Sequence, residues 1–159
     1  MKLSIIIKSK KEFEFILPLC EQMGRIQKEG KYLFFRFLFL CNEENHNVFK
    51  KCIKKFNVNV PYSILELEEI DLCEHQEVVL EQMRDEIFRN PVESMLMIGH
   101  DDLNDGIAEL ASEYLIKILL LESKKTKEKS KGKYDFIFST SDPECWNNIV
   151  ETIIKIYKL

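Results

Sequence analysis

The sequence has little of what marks several common protein classes. Its 159 residues include only five glycines, and neither a P-loop nor a G-x-G-x-x-G turn follows the first apolar run, so the usual backbone cradles for nucleotide phosphates are missing. No apolar run could cross a bilayer and no secretory signal begins the chain, so we expect a cytoplasmic protein without a membrane partner. The net charge of −4 gives no general attraction to nucleic acid.

Cysteines and histidines are too scattered to predict a metal site. The five cysteines are odd in number and none forms a C-x-x-C pair, which favours free thiols in a reducing compartment. His46, His75 and His100 lie far apart in the sequence, and no G-x-S-x-G elbow points to a serine hydrolase. We therefore predict no metal and no cofactor.

What the sequence does contain is an alternation of strand-like and helix-like segments. Short apolar runs predict strands over residues 3–7, 33–40, 62–65, 95–98, 118–121 and 134–138. Helical spacing of apolar residues predicts helices over 12–25, 43–56, 72–88 and 103–115, with a last helix capped by Asp142. Helices between strands favour parallel pairing through right-handed crossovers. The chain should thus be one domain over residues 1–159, an α/β protein built as a three-layer α/β/α sandwich on a Rossmann-like, mostly parallel sheet of about six strands.

Polar side chains follow two successive predicted strands. His100 and Asp101 come after the fourth strand and Glu122 ends the fifth. Ligands of open α/β sheets bind beyond the carboxyl ends of the strands, and an imidazole beside carboxylates is suited to proton transfer. The alternative is structural: Asp101 or Asp102 caps the next helix, and His100 is a surface turn residue.

The first strand leads into a basic turn, Lys8-Ser9-Lys10-Lys11-Glu12. Lysines beside a helix N-terminus can hold a phosphate, because their charges add to those of the unpaired amides. Solvated lysines are an equally good interpretation. The lysine-rich segment 124–133 could also attract a phosphate, although a solvated connection is favoured there.

Several of these segments match one family pattern in order and spacing. The turn with Glu12, and then Pro18, stands where the family has G-T-R-P-E and a proline. Residues 41–46 stand at its T-G-Q-H loop. Residues 98–101 stand at its H-G-D-T motif, and residues 120–123 stand at H-V-E-A-G. From Gly99 to Glu122 the spacing matches without a gap. The chain thus resembles the N-terminal domain of the non-hydrolysing UDP-N-acetylglucosamine 2-epimerases.

This resemblance implies half of a GT-B-type fold and a half-site for a UDP-sugar, with the active site of the whole enzyme between two such halves. It implies catalytic roles for Glu122, Asp101 and His100, and substrate or phosphate binding by Lys10, Ser9, Glu12 and His46. His100 stands at the family's catalytic aspartate and Asp101 at the neighbouring threonine, while Lys10 replaces an arginine and loses its bidentate fork. The family's second domain has no counterpart here. The half-site should therefore be incomplete or inactive alone, and a partner chain with a second domain, or a homodimer, could complete it.

Two other functions remain open. Residues 105–111 weakly resemble the D-x-G-T-x-x-E motif of nucleoside deoxyribosyltransferases, which would make Glu109 a catalytic residue lining a pocket. A non-catalytic interaction or regulatory module is the third possibility. It would present the aromatic residues of 33–40 and Trp146 as one exposed apolar patch, through which a homodimer could form.

Overall fold

Strands and helices alternate along the computed structural model, which describes residues 2–28, 34–41, 43–55, 62–66, 76–123 and 133–157. The strands are β1 (Lys2–Ile7), β2 (Phe34–Cys41), β3 (Tyr62–Glu66), β4 (Ser94–Ile98), β5 (Lys117–Glu122) and β6 (Phe136–Ser139). The helices are α1 (Lys10–Lys28), α2 (Glu43–Lys55), α3 (Gln76–Arg89), α4 (Asp102–Glu113) and α5 (Cys145–Tyr157). Each predicted strand and helix has a counterpart among the described residues, including the short strand at residues 62–65, although residues 33, 56 and 72–75 lie outside them and β6 begins at Phe136 instead of residue 134.

Within the described residues, the strands form one six-stranded sheet in the order β3-β2-β1-β4-β5-β6, and every neighbouring pair is parallel. The chain builds outward from β1 on one side and then restarts at β4 on the other. The order therefore reverses between β1 and β4, which is the place where open parallel sheets bind ligands. The prediction of a Rossmann-like α/β fold is confirmed.

Helices cover both faces of this sheet, because its central strands are apolar on both sides. Along β2, Phe35, Phe37 and Phe39 face a cluster that includes residues of α1, α2 and α5. Leu38 and Leu40 alternate with them and face the cluster formed with α3 and α4. The three layers are thus set by the period-two alternation of large apolar side chains.

The prediction of an exposed aromatic patch is wrong for those of its residues that the structure describes. Phe35, Phe37 and Phe39 are buried because β2 is an inner strand with a helix layer over each face. Trp146 is only partly exposed and packs edge-on against Phe15, with ring centroids 5.7 Å apart. The large exposed apolar side chains of the described ranges are instead Val78, Phe88 and Leu115.

Some of the sequence predictions concern residues outside the described ranges, namely His75, Cys73 and the lysine-rich segment up to residue 132. The four cysteines that are described, Cys20, Cys41, Cys52 and Cys145, are buried. Among the described helices, none has the length and apolar character needed to span a bilayer.

Candidate functional site

The carboxyl ends of the central strands meet at one edge of the sheet. In the β4–β5 register Ile98 pairs with Leu121, and the Gly99 amide donates to the Leu121 carbonyl at 2.8 Å. On the other side of β5, Glu122 pairs with Ser139 of β6. His100 and Asp101, which follow β4, and Glu122, which ends β5, are thus at neighbouring strand ends.

A sharp turn after β4 directs the chain into α4. Gly99 has φ +80°, a left-handed conformation that glycine adopts without steric cost. Asn104 is fully buried, and its side-chain amide donates to the carbonyls of Ile98 at 3.0 Å and Gly99 at 2.6 Å. These bonds satisfy the carbonyls that the turn removes from the sheet ladder, and they hold residues 100 and 101 at the edge.

Asp101 caps α4, as the structural alternative predicted. Its Oδ1 accepts from the backbone amide of Asn104 at 2.7 Å, and the backbone of Asp101 itself is extended. Its Oδ2 accepts from the Lys8 ammonium at 2.9 Å. Lys8 follows β1, and its side chain is 11% exposed. Asp101 therefore joins the two halves of the sheet across the point where the strand order reverses.

The basic turn after β1 is organised mainly by Ser9 and Glu12. Ser9 Oγ accepts from the Glu12 amide at 3.2 Å, and Glu12 Oε1 accepts from the Lys8 amide at 3.3 Å. This reciprocal arrangement is close to a capping box at the start of α1. Burial raises the pKa of the Glu12 carboxyl, with a smaller contribution from Asp101, while Lys8 acts in the opposite direction. Both residues thus have a structural role in holding this turn.

His100 lies against two side chains from other segments. Its Nε2 is 3.1 Å from Asp105 Oδ1, and the Tyr134 hydroxyl donates to the same oxygen at 2.7 Å. The His100 and Tyr134 rings meet edge-on, with centroids 6.4 Å apart. His100 is therefore part of a network and not an isolated turn residue.

Glu122 is 6% exposed at the end of β5. The pKa of Tyr134 is raised chiefly by burial, then by Asp105, and further by the charges of Asp101 and Glu122. All three carboxylates therefore act on one hydroxyl. The edge brings together a buried carboxylate, an imidazole and a lysine with a largely buried side chain, which are groups that can bind a polar ligand and exchange protons with it.

Lys10 and His46 are placed differently from this cluster. Lys10 begins α1, is 58% exposed and lies 3.8 Å from Glu14. It also lines a cleft of about 240 Å³ between α1 and α2, together with Val48, Lys51, Cys52 and Lys55. His46 lies in the first turn of α2, which follows β2 at the same edge of the sheet.

Glu109 does not line a pocket with these groups. It is on α4, its side chain is 70% exposed, and its Oε2 lies 3.9 Å from Lys133. Within the described ranges, no group of three or more His, Cys, Asp or Glu side chains could hold a metal ion.

Sequence reasoning missed three residues of the network: Lys8, Asp105 and Tyr134. Lys8 was one of three lysines in a turn, and only its position directly after the buried strand distinguished it. Tyr134 is 29 residues from Asp105, so no local pattern could have paired them.

Comparison of the sequence with models of protein families and with curated protein sequences finds no match. Comparison of the fold with solved structures does. UDP-GlcNAc 2-epimerase from Methanocaldococcus jannaschii matches with a TM-score of 0.68 at 16% identity, over 99% of this chain and 44% of that one. The enzyme from Neisseria meningitidis, solved bound to UDP-GlcNAc, gives 0.70 at 11% identity, over 97% and 44%. Acinetobacter baumannii MurG gives 0.55 at 12% identity, over 90% and 42%.

The fold is therefore that of roughly half of a UDP-GlcNAc 2-epimerase, a Rossmann-like half of a GT-B-type architecture. The chain spans less than half the length of the solved structures it matches. The predicted resemblance is confirmed at the level of the fold.

Proposed function

We propose that the carboxyl edge of this sheet is a half-site for a nucleotide sugar of the UDP-N-acetylglucosamine type. The observation that carries the proposal is the meeting of Lys8, His100, Asp101 and Glu122 from three central strands at the reversal of the strand order. Two of the solved structures with this fold hold UDP-GlcNAc. In the proposal, Glu122 and His100 act on the sugar, while Asp101 holds the loop that carries His100.

The phosphates would bind at the basic turn. Ser9, Lys10 and the first amides of α1 lie after β1, at the edge where Glu12 fixes the turn. A helix N-terminus with adjacent lysines favours a diphosphate. His46, at the start of the neighbouring α2, would bind substrate from the side of β2.

The half-site is proposed to need a second domain. A lone half leaves a sugar open to water, which weakens every electrostatic contact to it. A partner chain that supplies the second domain, or a homodimer of this chain, would close the site. Light scattering on the purified chain tests the homodimer directly, since a monomeric mass at all concentrations would exclude it.

The test is calorimetric titration of the chain with UDP and with UDP-N-acetylglucosamine. We expect the two ligands to bind in competition, with weaker binding of both in Lys10→Ala. Glu122→Gln should keep the affinity for UDP and change that for the sugar nucleotide. Glu109→Gln, a charge change on an exposed position of α4, is the control and should bind as the unaltered chain does. No binding of either ligand, alone or with a second-domain partner, would contradict the proposal.

The two other functions have less support. A deoxyribosyltransferase needs Glu109 inside a pocket, whereas its side chain is mostly in solvent. An interaction module using the aromatic residues of β2 would need them exposed, whereas those described are buried.

A further inference from the structure

His100, Asp105 and Tyr134 form a chain of contacts that runs inward from the candidate site. The His100 side chain is 29% exposed, that of Asp105 is 16% exposed, and Tyr134 is 6% exposed. The three residues come from the turn after β4, from α4 and from the segment before β6. On its inner side the imidazole thus contacts the Asp105 carboxylate, which in turn accepts a hydrogen bond from the more deeply buried Tyr134 hydroxyl.

The chemistry of these groups indicates where the protons lie. Burial, reinforced by Asp105, raises the pKa of Tyr134, so its hydroxyl stays protonated and donates to Asp105 Oδ1. His100 Nε2 and Asp105 Oδ1 are 3.1 Å apart, and because a carboxylate oxygen can only accept, a hydrogen bond between them would place the imidazole proton on Nε2. Nδ1 is then left with its lone pair, and among the described residues no hydrogen-bond partner occupies it.

Two other carboxylates, Asp101 and Glu122, lie near this network. Asp101, next to His100 in the chain, uses Oδ1 for the Asn104 amide and Oδ2 for Lys8. Glu122 approaches from β5 and acts with Asp101 on the Tyr134 hydroxyl. Asp105 is therefore the carboxylate that directly contacts the imidazole.

We propose that Asp105 and Tyr134 are positioning residues that make His100 Nδ1 the proton acceptor of the half-site. Nδ1 takes a proton from a hydroxyl or an acidic C–H of the bound ligand, and the electron pair of the broken bond stays on the ligand. The resulting imidazolium keeps its Nε2–H on Asp105, whose negative charge stabilises it. This inference rests on the proposed function for its ligand, but the geometry it invokes exists in the free protein.

The experiment is an imidazole ¹⁵N spectrum of the labelled chain without any ligand, above the pH at which the histidine rings titrate. The chain has three histidines, which His→Gln variants assign one by one. We expect His100 to show two well-separated nitrogen signals, with a protonated Nε2 and an unprotonated Nδ1. In Asp105→Ala the two signals should move toward each other, because both tautomers become populated. His46, on α2, is the internal reference and should not change.

Two further variants make the result decisive. Glu109→Ala removes a carboxylate from the exposed side of the same helix and should leave the His100 signals in place. Tyr134→Phe keeps the ring and Asp105, and should shift the His100 signals in the same direction as Asp105→Ala but less; it carries the test if Asp105→Ala does not fold. Averaged His100 signals in the unaltered chain, or signals that neither variant moves, would overturn the inference. Failure to bind UDP-N-acetylglucosamine would instead count against the proposed function, since no ligand enters this measurement.

Discussion

Single residues at the sheet edge serve structure and proposed function together. Asp101 is the clearest case, because one oxygen caps α4 and the other binds Lys8. The Lys8 side chain as a whole is 11% exposed, although its ion pair with Asp101 is open to solvent. Removal of Asp101 therefore affects a helix start and an ion pair at once.

Substitution at Asp101 separates these two contributions. Asparagine is as good a helix cap as aspartate, so Asp101→Asn should lose only the ion pair with Lys8. Asp101→Ala should lose both, and we expect its free energy of unfolding to fall by about 1–2 kcal/mol, more than that of Asp101→Asn. Urea unfolding measures both values. Equal stability of Asp101→Ala and the unaltered chain would show that the cap contributes nothing.

Glu12 gives the protein a pH-dependent cost. Its pKa is raised above the ordinary 4.5 by burial, so the folded chain binds this proton more tightly than the unfolded chain. Stability from this group is therefore greatest at acid pH and is lost as the pH rises from 4.5 through the raised value.

The Glu12→Gln variant removes this titration while it keeps an oxygen for the Lys8 amide. Relative to the unaltered chain, the variant should be more stable against unfolding at pH 7 than at pH 4. Urea unfolding at both pH values measures it. Glu14→Gln, at a half-exposed position of the same helix, is the matched control. The same relative stability at both pH values would contradict the prediction.

The sequence predicted the kinds of residue at this edge better than their partners. Glu122 was predicted from its place after an apolar run, and the capping role of Asp101 from its place before a helical pattern. The choice of Lys8 over Lys10 as the inward lysine depends on the twist of the turn, which local sequence does not specify. The contact of Tyr134 with Asp105 depends on how β6 approaches α4, which is a property of the whole sheet.

At the scale of elements, α4 shows how a helix end can carry strain. Its last turn is a Schellman motif, in which the Ile116 amide bonds to the Ala111 carbonyl at 3.2 Å and the Leu115 amide to the Ser112 carbonyl at 3.1 Å. The left-handed position of this motif usually holds glycine, but here it is Leu115, with φ +59° and 88% exposure.

Leu115→Gly should therefore stabilise the protein. Relief of the left-handed conformation is worth about 1–2 kcal/mol, and the greater freedom of glycine in the unfolded chain costs about 0.5–1 kcal/mol. We expect a small net gain in the thermal midpoint. Leu115→Ala keeps the Cβ atom and its strain, so it should leave the midpoint nearly unchanged. If alanine stabilised as much as glycine, the exposed side chain and not the backbone would be responsible.

The elements themselves were predictable because local pattern and tertiary environment agree. Inner strands buried on both faces are short apolar runs, and helices covering a sheet have one apolar stripe. The aromatic strand β2 shows where this reasoning fails. A run of phenylalanines indicates a strand, but the same letters are consistent with an exposed patch until the helices on both faces are known.

On the scale of the whole molecule, stability is concentrated in the two clusters on either side of the sheet. Phe37 is fully buried in the centre of one cluster and packs against Phe13, with ring centroids 5.5 Å apart. Phe88 is 68% exposed and contacts Tyr114 edge-on at 5.5 Å. The two phenylalanines thus differ chiefly in burial.

Phe37→Ala should lower the free energy of unfolding by about 3–5 kcal/mol, through lost burial and the cavity left behind. Since domains of this size are stable by about 5–15 kcal/mol, this one substitution would remove a large part of the total. Phe88→Ala should cost less than about 1 kcal/mol. Denaturant unfolding monitored by circular dichroism measures both. Similar losses at the two positions would mean that the layers are packed differently from this structure.

The order of the strands also sets a schedule for synthesis on the ribosome. β1 can pair with β2 as soon as residue 41 has emerged, but its other neighbour, β4, begins only at residue 94. At about 5–20 residues per second, β4 begins to be made roughly 3–10 seconds after β2 is complete, and until then the second edge of β1 has no partner strand. During that time β1, one of the two middle strands of the finished sheet, has an apolar edge that another nascent chain could join. The parallel order of the finished sheet thus leaves an apolar edge unpaired until the second half of the chain has been made.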